Sequence, residues 1–566
     1  MKHSNGLAWV AVVVMVGLGS VSAEEPTAVS TKPGLQTRGA RMGAPEMRLS
    51  MRDAVGLALQ HNINLEVSRL GLAGSTAALG GSVGVFDPYL NVQGSTSESA
   101  SPATNNLVGA AVATSRRRSL DFTLGKAFAT GTQLTVDWTN TRSSTNSSFY
   151  FLNPSYGSGF TLGLQQNLLK GFGTDVNRAG IEVARRNRDI SRLAFEQSVI
   201  KILQQVESAY WNLVFQRDDL EVKKRSLKLA QDLLDQTRTR VRIGTAAPID
   251  IVQSEATVAA REQDIILAEN QVGDAGDLLK QLMGFEDRED WQSQIVPTDL
   301  LEPQAEPASL DAAITEALGR RTELKQQQLS TEISEVSLLG ARNAVLPSLG
   351  LSVNYGYSGV GGTETIRDSN DQVVRVLKGG WDDALTQIRD LDYRQWSAGF
   401  AFTYTLGNHD AKARLAQRRY ELASARQTLA LEQQNVIAEV RSAVRGLEAG
   451  SKSIAAAIKA RELAERNLDA EQKKFANGMS TNYQVLKIQE DLAAALASEL
   501  YAKVGYRIAR VQYEVAIGRL PETMGVTIAD EVPPAPRVAF QGPSWLRYGT
   551  WSRDPDVKRA DETAKK

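Results

Sequence analysis

Trp396-Ser397-Ala398-Gly399-Phe400-Ala401-Phe402-Thr403-Tyr404-Thr405-Leu406 places large apolar side chains at every second position and small ones between. Period two over this length is the signature of a β-strand with one apolar and one small, polar face. The same pattern recurs. Leu349, Leu351, Val353, Tyr355 and Tyr357 alternate with Gly350, Ser352, Asn354 and Gly356, and Phe160, Leu162 and Leu164 alternate with Thr161, Gly163 and Gln165. Leu120, Phe122, Leu124 and Phe128 give another such face, and Leu134, Val136 and Trp138 a further one. Such strands belong to a half-buried soluble sheet or to a membrane β-barrel. Rings at strand ends, such as Tyr355, Tyr357 and Trp396, favour the barrel, where aromatic side chains settle at the interface. The segments 95–117, 141–158 and 358–390 are rich in Ser, Thr, Asn and Gly and read as external loops. Two strands are expected in the second half of the chain and two to four in the first, the additional pair being a hairpin over 118–139.

Outward from the strands, the chain is helical. Leu492, Leu496, Leu500, Val504, Ile508, Val511 and Val515 form a stripe at spacings of three and four, as do Ile437, Val440, Val444, Leu447, Ile454 and Ile458. Leu203, Val206, Tyr210 and Leu213 begin a third. No proline and no glycine falls between Gly180 and Gly244, which predicts a helix of roughly 90–100 Å at 1.5 Å per residue. Such stripes pack laterally in coiled-coil fashion.

The chain also repeats itself. A shift of 259 positions carries Ala54 to Ala313, Leu65 to Leu324 and Pro88 to Pro347, and a shift of 234 carries Val206 to Val440, Gly244 to Gly478 and Gly284 to Gly518. The expected organisation is a signal peptide over 1–23, a flexible leader over 24–48 and a first repeat over 49–284. A linker over 285–307, a second repeat over 308–518 and a partly disordered C-terminal tail over 519–566 follow. The signal peptide rests on Lys2, the apolar run Leu7–Leu18 and the small residues Val21-Ser22-Ala23. That run is too short for a spanning helix, which needs about 20 residues, so insertion into a membrane requires strands. Eight strands is the usual minimum for a single-chain barrel, so closure demands several copies of this chain in a ring.

Composition narrows the chemistry. Among 566 residues there is no cysteine, and His3, His61 and His409 are the only histidines. Thiol catalysis, disulfides and Cys-ligated metal are excluded, and a multi-histidine site nearly so. With 64 basic and 65 acidic residues, neither sign supplies a case for nucleic acid. No catalytic motif is present and no cofactor is expected; the chain reads as a non-enzyme. His409-Asp410 reads as a cap for the helix that follows. Arg116-Arg117-Arg118 reads as solvated loop charge, with lipopolysaccharide phosphates as the alternative partner.

Two motifs at matching positions carry a resemblance. Arg240-Val241-Arg242-Ile243-Gly244 precedes Asp250-Ile251-Val252, and Lys474-Phe475-Ala476-Asn477-Gly478 precedes Gln484-Val485-Leu486. With the duplicated helix, strands and long-helix-pair order, the chain resembles the TolC family of outer-membrane efflux and secretion ducts over nearly its whole length to about residue 520. The resemblance implies an α+β fold in which a homotrimer shares one all-antiparallel transmembrane β-barrel, continued by a long α-helical barrel across the periplasm. It implies outer-membrane lipid, a periplasmic adaptor protein and an inner-membrane transporter as partners, for efflux or type I secretion. Gly244 and Gly478 suit left-handed turns at the periplasmic tips. The tip set is then Arg240, Arg242, Gly244, Asp250, Phe475, Gly478, Ser480, Gln484 and Lys487. Phe475 stands where the family often has Tyr, and Ser480 where it often has Arg. Gln484 and Lys487 fall where acidic residues ring the aperture, so a Lys487–Asp250 pair, or Asp250 with Arg240 or Arg242, is the expected replacement closure; the alternative is plain solvated turn residues. An exported coiled-coil scaffold and a passive porin are the competing functions.

Overall fold

The computed structural model describes residues 46–103, 111–147, 150–299, 309–367 and 372–528. The signal-peptide expectation, most of the leader and most of the tail fall outside them. Ser50 caps the first helix: its hydroxyl accepts from the Asp53 amide while the Asp53 carboxylate returns to the Ser50 amide, a reciprocal capping box. The first half then runs β1 (Glu46–Leu49), α1 (Met51–His61), α2 (Ile63–Val83), β2 (Tyr89–Pro102), β3 (Val112–Ala127), β4 (Thr132–Thr145), β5 (Leu152–Asn167), α3 (Thr174–Asn177), α4 (Ala179–Arg242) and α5 (Ile249–Met283). After α6 (Arg288–Gln292) and β6 (Gln294–Pro297) come α7 (Leu310–Arg320), α8 (Thr322–Ala344), β7 (Ser348–Arg367), β8 (Val373–Leu377), α9 (Trp381–Arg389), β9 (Tyr393–Thr403), α10 (His409–Ala476), α11 (Asn482–Ile517) and α12 (Leu520–Thr523). The fold is α+β and mostly helical.

Several expectations need correction. The last residues of the expected leader and part of the expected linker are strand: β1 and β6 form a two-stranded parallel sheet in which Met47 faces Ile295. Tyr210 anchors this sheet to α4. Its buried hydroxyl donates to Asp299 at 2.5 Å and accepts from the amides of Thr298 and Asp299. The segments read as loops are partly strand, because a strand outside the apolar zone needs no alternation. The helix cap before α10 is Asn408, in the left-handed region at φ 46°, not His409-Asp410. Those two residues open α10, and Asp410 pairs with Arg414 one turn on.

The sheet orders its strands β2-β3-β4-β5-β7, with β9 on the first part of β7 and the short β8 on its far end. Each pairing is antiparallel. The first half thus contributes four strands and the 118–139 hairpin lies within the sheet; the second contributes β7, β9 and the unexpected β8. Away from the sheet, α4 and α5 form one helical hairpin and α10 and α11 another. Their bases share a core in which Val206, Leu213, Leu279 and Met283 of the first hairpin are almost fully buried with Ala54 and Ala58 of α1.

Gly284 ends α5 in the left-handed region at φ 73°, and a Cβ there would lie 2.1 Å from the His61 carbonyl oxygen. Gly244 has φ 81° but open space around it. Gly284→Ala therefore carries both a left-handed penalty of about 1–2 kcal/mol and a backbone displacement, whereas Gly244→Ala carries the penalty alone. Thermal unfolding should show the larger drop in midpoint for Gly284→Ala.

One acid sits in this packing at a cost. Burial between α4 and α11 lifts the Glu207 carboxyl from 4.5 to about 7, and repulsion from Glu514 adds to the shift; Trp211, Arg507 and Arg510 pull the other way. A raised acid favours the proton-bound native state, so its stabilisation is complete below about 4.5 and is lost as pH rises to about 7. The loss is on the order of 3 kcal/mol at about 1.4 kcal/mol per pH unit. Urea unfolding at pH 5 and 7.5 should show this decline, and Glu207→Gln should remove most of it.

Candidate functional site: the helical tip and the two-faced sheet

The turns at the free ends of the hairpins are closed by glycines in the left-handed region, Gly244 at φ 81° and Gly478 at φ 77°. Around them the structure brings together Arg240 and Phe475. The Arg240 guanidinium lies 3.9 Å from the centre of the Phe475 ring and donates to the carbonyls of Phe475 and Ala476. Phe475 is buried with Leu233, Val485 and Leu486. The missing hydroxyl at Phe475 is thus answered by an aromatic face, which attracts a cation, and by carbonyls at the end of α10, which carry the negative end of the helix dipole.

Among the described residues of one chain, Lys487 and Asp250 make no ion pair. Lys487 is held on its own helix by Glu490 and Asp491, each at 3.4 Å, because i,i+3 and i,i+4 carboxylates lie nearer than another hairpin. Nor, among those residues, does Asp250 pair with Arg240 or Arg242. Its part in the tip is through the backbone: its carbonyl accepts from Asn482 Nδ2 at 3.3 Å and from Ser254 Oγ at 2.9 Å. Arg242, Gly244, Gly478 and Gln484 are exposed. The Gln484 amide donates to the Thr481 hydroxyl that caps α11. Ser480 donates to Glu471 at 2.5 Å, and Lys474 sits 3.1 Å from that carboxylate. Together they hold Glu471 below the usual carboxylate range.

A buried polar junction escaped the sequence. Thr237 Oγ1 donates to Asn482 Oδ1 at 3.1 Å, and Asn482 Nδ2 donates to Ser254 Oγ at 2.8 Å. It ties α4, α5 and α11 together just inside the tip. Its only sequence signal is polar residues on otherwise apolar helix faces, which does not say which of them meet.

At the opposite end, cross-strand register sorts the sheet into two faces. Leu90, Leu124, Val136, Leu162, Tyr355 and Trp396 are successive partners across all six long strands. Val92, Phe122, Trp138, Phe160 and Tyr357 form the adjoining row. On the other face Thr123, Asp137, Thr161 and Gly356 are successive partners, and Thr123 donates to Asp137 at 2.7 Å. The apolar face stays open: Leu124 is 47% and Phe400 80% exposed. The outer strands β2 and β9 are exposed along their whole length. Among the described residues no helix is long and apolar enough to cross a membrane.

A two-faced sheet with free edges, set end-on against paired long helices, defines a class of protein in which a sheet and a coiled-coil shaft are stacked in one chain. The chain belongs to the outer membrane efflux protein family, whose pattern matches residues 132–285 and 313–519. It is 24% identical over 320 residues to the outer membrane protein TolC of Escherichia coli K12, an alignment covering 56% of this chain and 61% of that protein. It is 24% identical over 340 residues to TolC of Vibrio cholerae, covering 60% and 71%. The fold is similar to that of the Campylobacter jejuni CmeC outer membrane channel, with a TM-score of 0.60 at 15% identity over 85% of this chain and 87% of that one.

Proposed function

We propose that the protein is the outer-membrane duct of an efflux or type I secretion assembly, passing substrates from an inner-membrane transporter and a periplasmic adaptor to the outside. The observation that carries this reading is the apolar row from Leu90 to Trp396, which crosses six strands whose two edges are both free. Exposed apolar surface of this extent in an exported chain calls for lipid, and free edges call for further strands. Six is an even number, so β9 of one copy meets β2 of the next in antiparallel sense, and a ring of identical copies closes without a mismatch. Three copies give eighteen strands, within the range of membrane barrels and wide enough for water inside. The Thr, Gly and Asp face then lines the lumen, and the helical hairpins continue it as a second barrel. The lumen needs no reacting groups: the protein conducts and does not catalyse. Residues 1–23 direct export, and the tip residues around Arg240 and Phe475 form the closable end that meets the adaptor.

The test is the mass of the particle extracted from outer membranes, corrected for bound detergent. Three times the mature chain mass is expected. A monomer or dimer that stays in solution without detergent overturns the reading.

A further inference from the structure

The three consecutive arginines of β3 are not equivalent. Arg117 points to the small, polar face of the sheet, while Arg116 and Arg118 share the face of Phe122 and Leu124, because side chains alternate along a strand. Arg116 is neutralised by Glu98 of β2 at 2.8 Å. Arg118 is not: its direct cross-strand partner is Arg142 of β4, and among the described residues neither has a carboxylate within ion-pair distance. Like charges directly opposite each other in a sheet destabilise it. Arg142 is nevertheless fixed, since its Nε donates to the Tyr156 hydroxyl at 3.2 Å and its guanidinium lies 5.7 Å over the Tyr156 ring.

The height of this pair tells what it meets. Arg118 lies four residues along β3 from Phe122, about 13 Å at 3.3 Å per residue, on the side away from the helices. Strand tilt of about 35–45° reduces that to about 10 Å above the apolar rows. Just below it, Trp138 stacks between Phe122 at 5.3 Å and Trp381 of α9 at 6.2 Å. α9 lies on the same face, where the missing side chain of Gly359 lets the Ala384 carbonyl approach the strand. Stacked tryptophans at the margin of an apolar band mark the membrane interface. Two guanidiniums immediately beyond that margin stand at headgroup level, facing lipid.

We propose that Arg118 and Arg142, with Tyr156 orienting Arg142, bind the phosphate of a lipid headgroup in the outer leaflet. Two planar guanidiniums suit the oxygens of one phosphate, which relieves their mutual repulsion. The acyl chains of the same lipid then lie on the apolar rows below, continuous with the site. This rests on the reading of that face as lipid-exposed.

The test uses the full-length protein in detergent, with bis-phosphorylated lipid A as probe. Its phosphate-free form and inorganic phosphate serve as controls, and bound lipid is counted by native mass spectrometry. The double variant Arg118→Gln/Arg142→Gln should bind lipid A at least about tenfold more weakly, the scale of losing charge-assisted contacts. Arg117→Gln removes a charge from the same strand on the opposite face and should bind as the unaltered protein does. Should the double variant not assemble, Arg118→Lys/Arg142→Lys keeps the charge but loses the planar fork, and weaker binding is again expected. The proposal is overturned if the phosphate-free lipid binds equally well, if inorganic phosphate displaces lipid A at equal concentration (a free-anion site), or if Arg117→Gln weakens binding as much as the double variant. A detergent-bound trimer whose double variant binds lipid A normally sinks this site alone. A protein soluble without detergent sinks the duct reading with it.

Discussion

Arg240→Ala should raise the conductance of the protein in planar bilayers several-fold and make cells leaky to large antibiotics. Arg240, on α4, is the tip residue that grips the other hairpin: its guanidinium covers the Phe475 ring at 3.9 Å and donates to two carbonyls at the end of α10. A cation–aromatic contact contributes about 0.5–2 kcal/mol and a hydrogen bond from a charged donor about 1.5–3 kcal/mol. Loss of even 1.4 kcal/mol shifts an open–closed equilibrium tenfold, and in the proposed threefold duct each protomer loses it. Arg240→Lys keeps the charge but not the planar face or the fork, so it should fall between. Arg242→Ala is the control, since Arg242 is exposed and carries none of these contacts. Equal conductance of all four proteins would remove Arg240 from the closure.

Leu162→Arg should abolish outer-membrane assembly, whereas Thr161→Arg should be tolerated. The two residues are neighbours on β5 and face opposite sides of the sheet. Leu162 sits in the complete apolar row, between Val136 and Tyr355; Thr161 sits between Asp137 and Gly356. Arginine on the lipid face costs about 2–4 kcal/mol at the bilayer midplane, and in the proposed trimeric barrel three copies multiply it. On the lumen face the side chain extends into water beside Asp137. Trimer yield from membranes, measured without heating the sample, separates the two outcomes. A Thr161→Arg defect as severe as that of Leu162→Arg would mean that the sheet is buried on both faces.

The tip shows where residue-by-residue reading stops. Gly244 and Gly478 were legible because a left-handed residue between two long helices has a composition signature, and the structure gives both positive φ. The contacts between the hairpins were not. Asp250 and Lys487 have opposite charges and sit at matching positions, yet Lys487 finds Glu490 and Asp491 one turn away. Phe475 looked like a loss because it lacks a hydroxyl, but its ring and carbonyl are what Arg240 uses. Pairing across hairpins depends on how two helices are rotated against each other, and one sequence does not state that angle.

The sheet divides in the same way. Period two identified the strands that carry an apolar face, since only that face must be uniform. It failed for most of β2, where Ser95-Thr96-Ser97-Glu98-Ser99 reads as a loop. Beyond the apolar rows both faces of a strand meet water, so alternation vanishes while the ladder to β3 continues through its backbone. Arg118 and Arg142, 24 positions apart, became neighbours only through that ladder.

By itself, then, the sequence determined the helical shafts, the apolar strand face, the glycine-closed tips and the absence of thiol chemistry, because each is written in local periodicity or composition. Tertiary structure alone decided how many strands join the sheet, which cation grips which ring and which arginines share a face, because those depend on register and helix rotation between segments far apart in the chain.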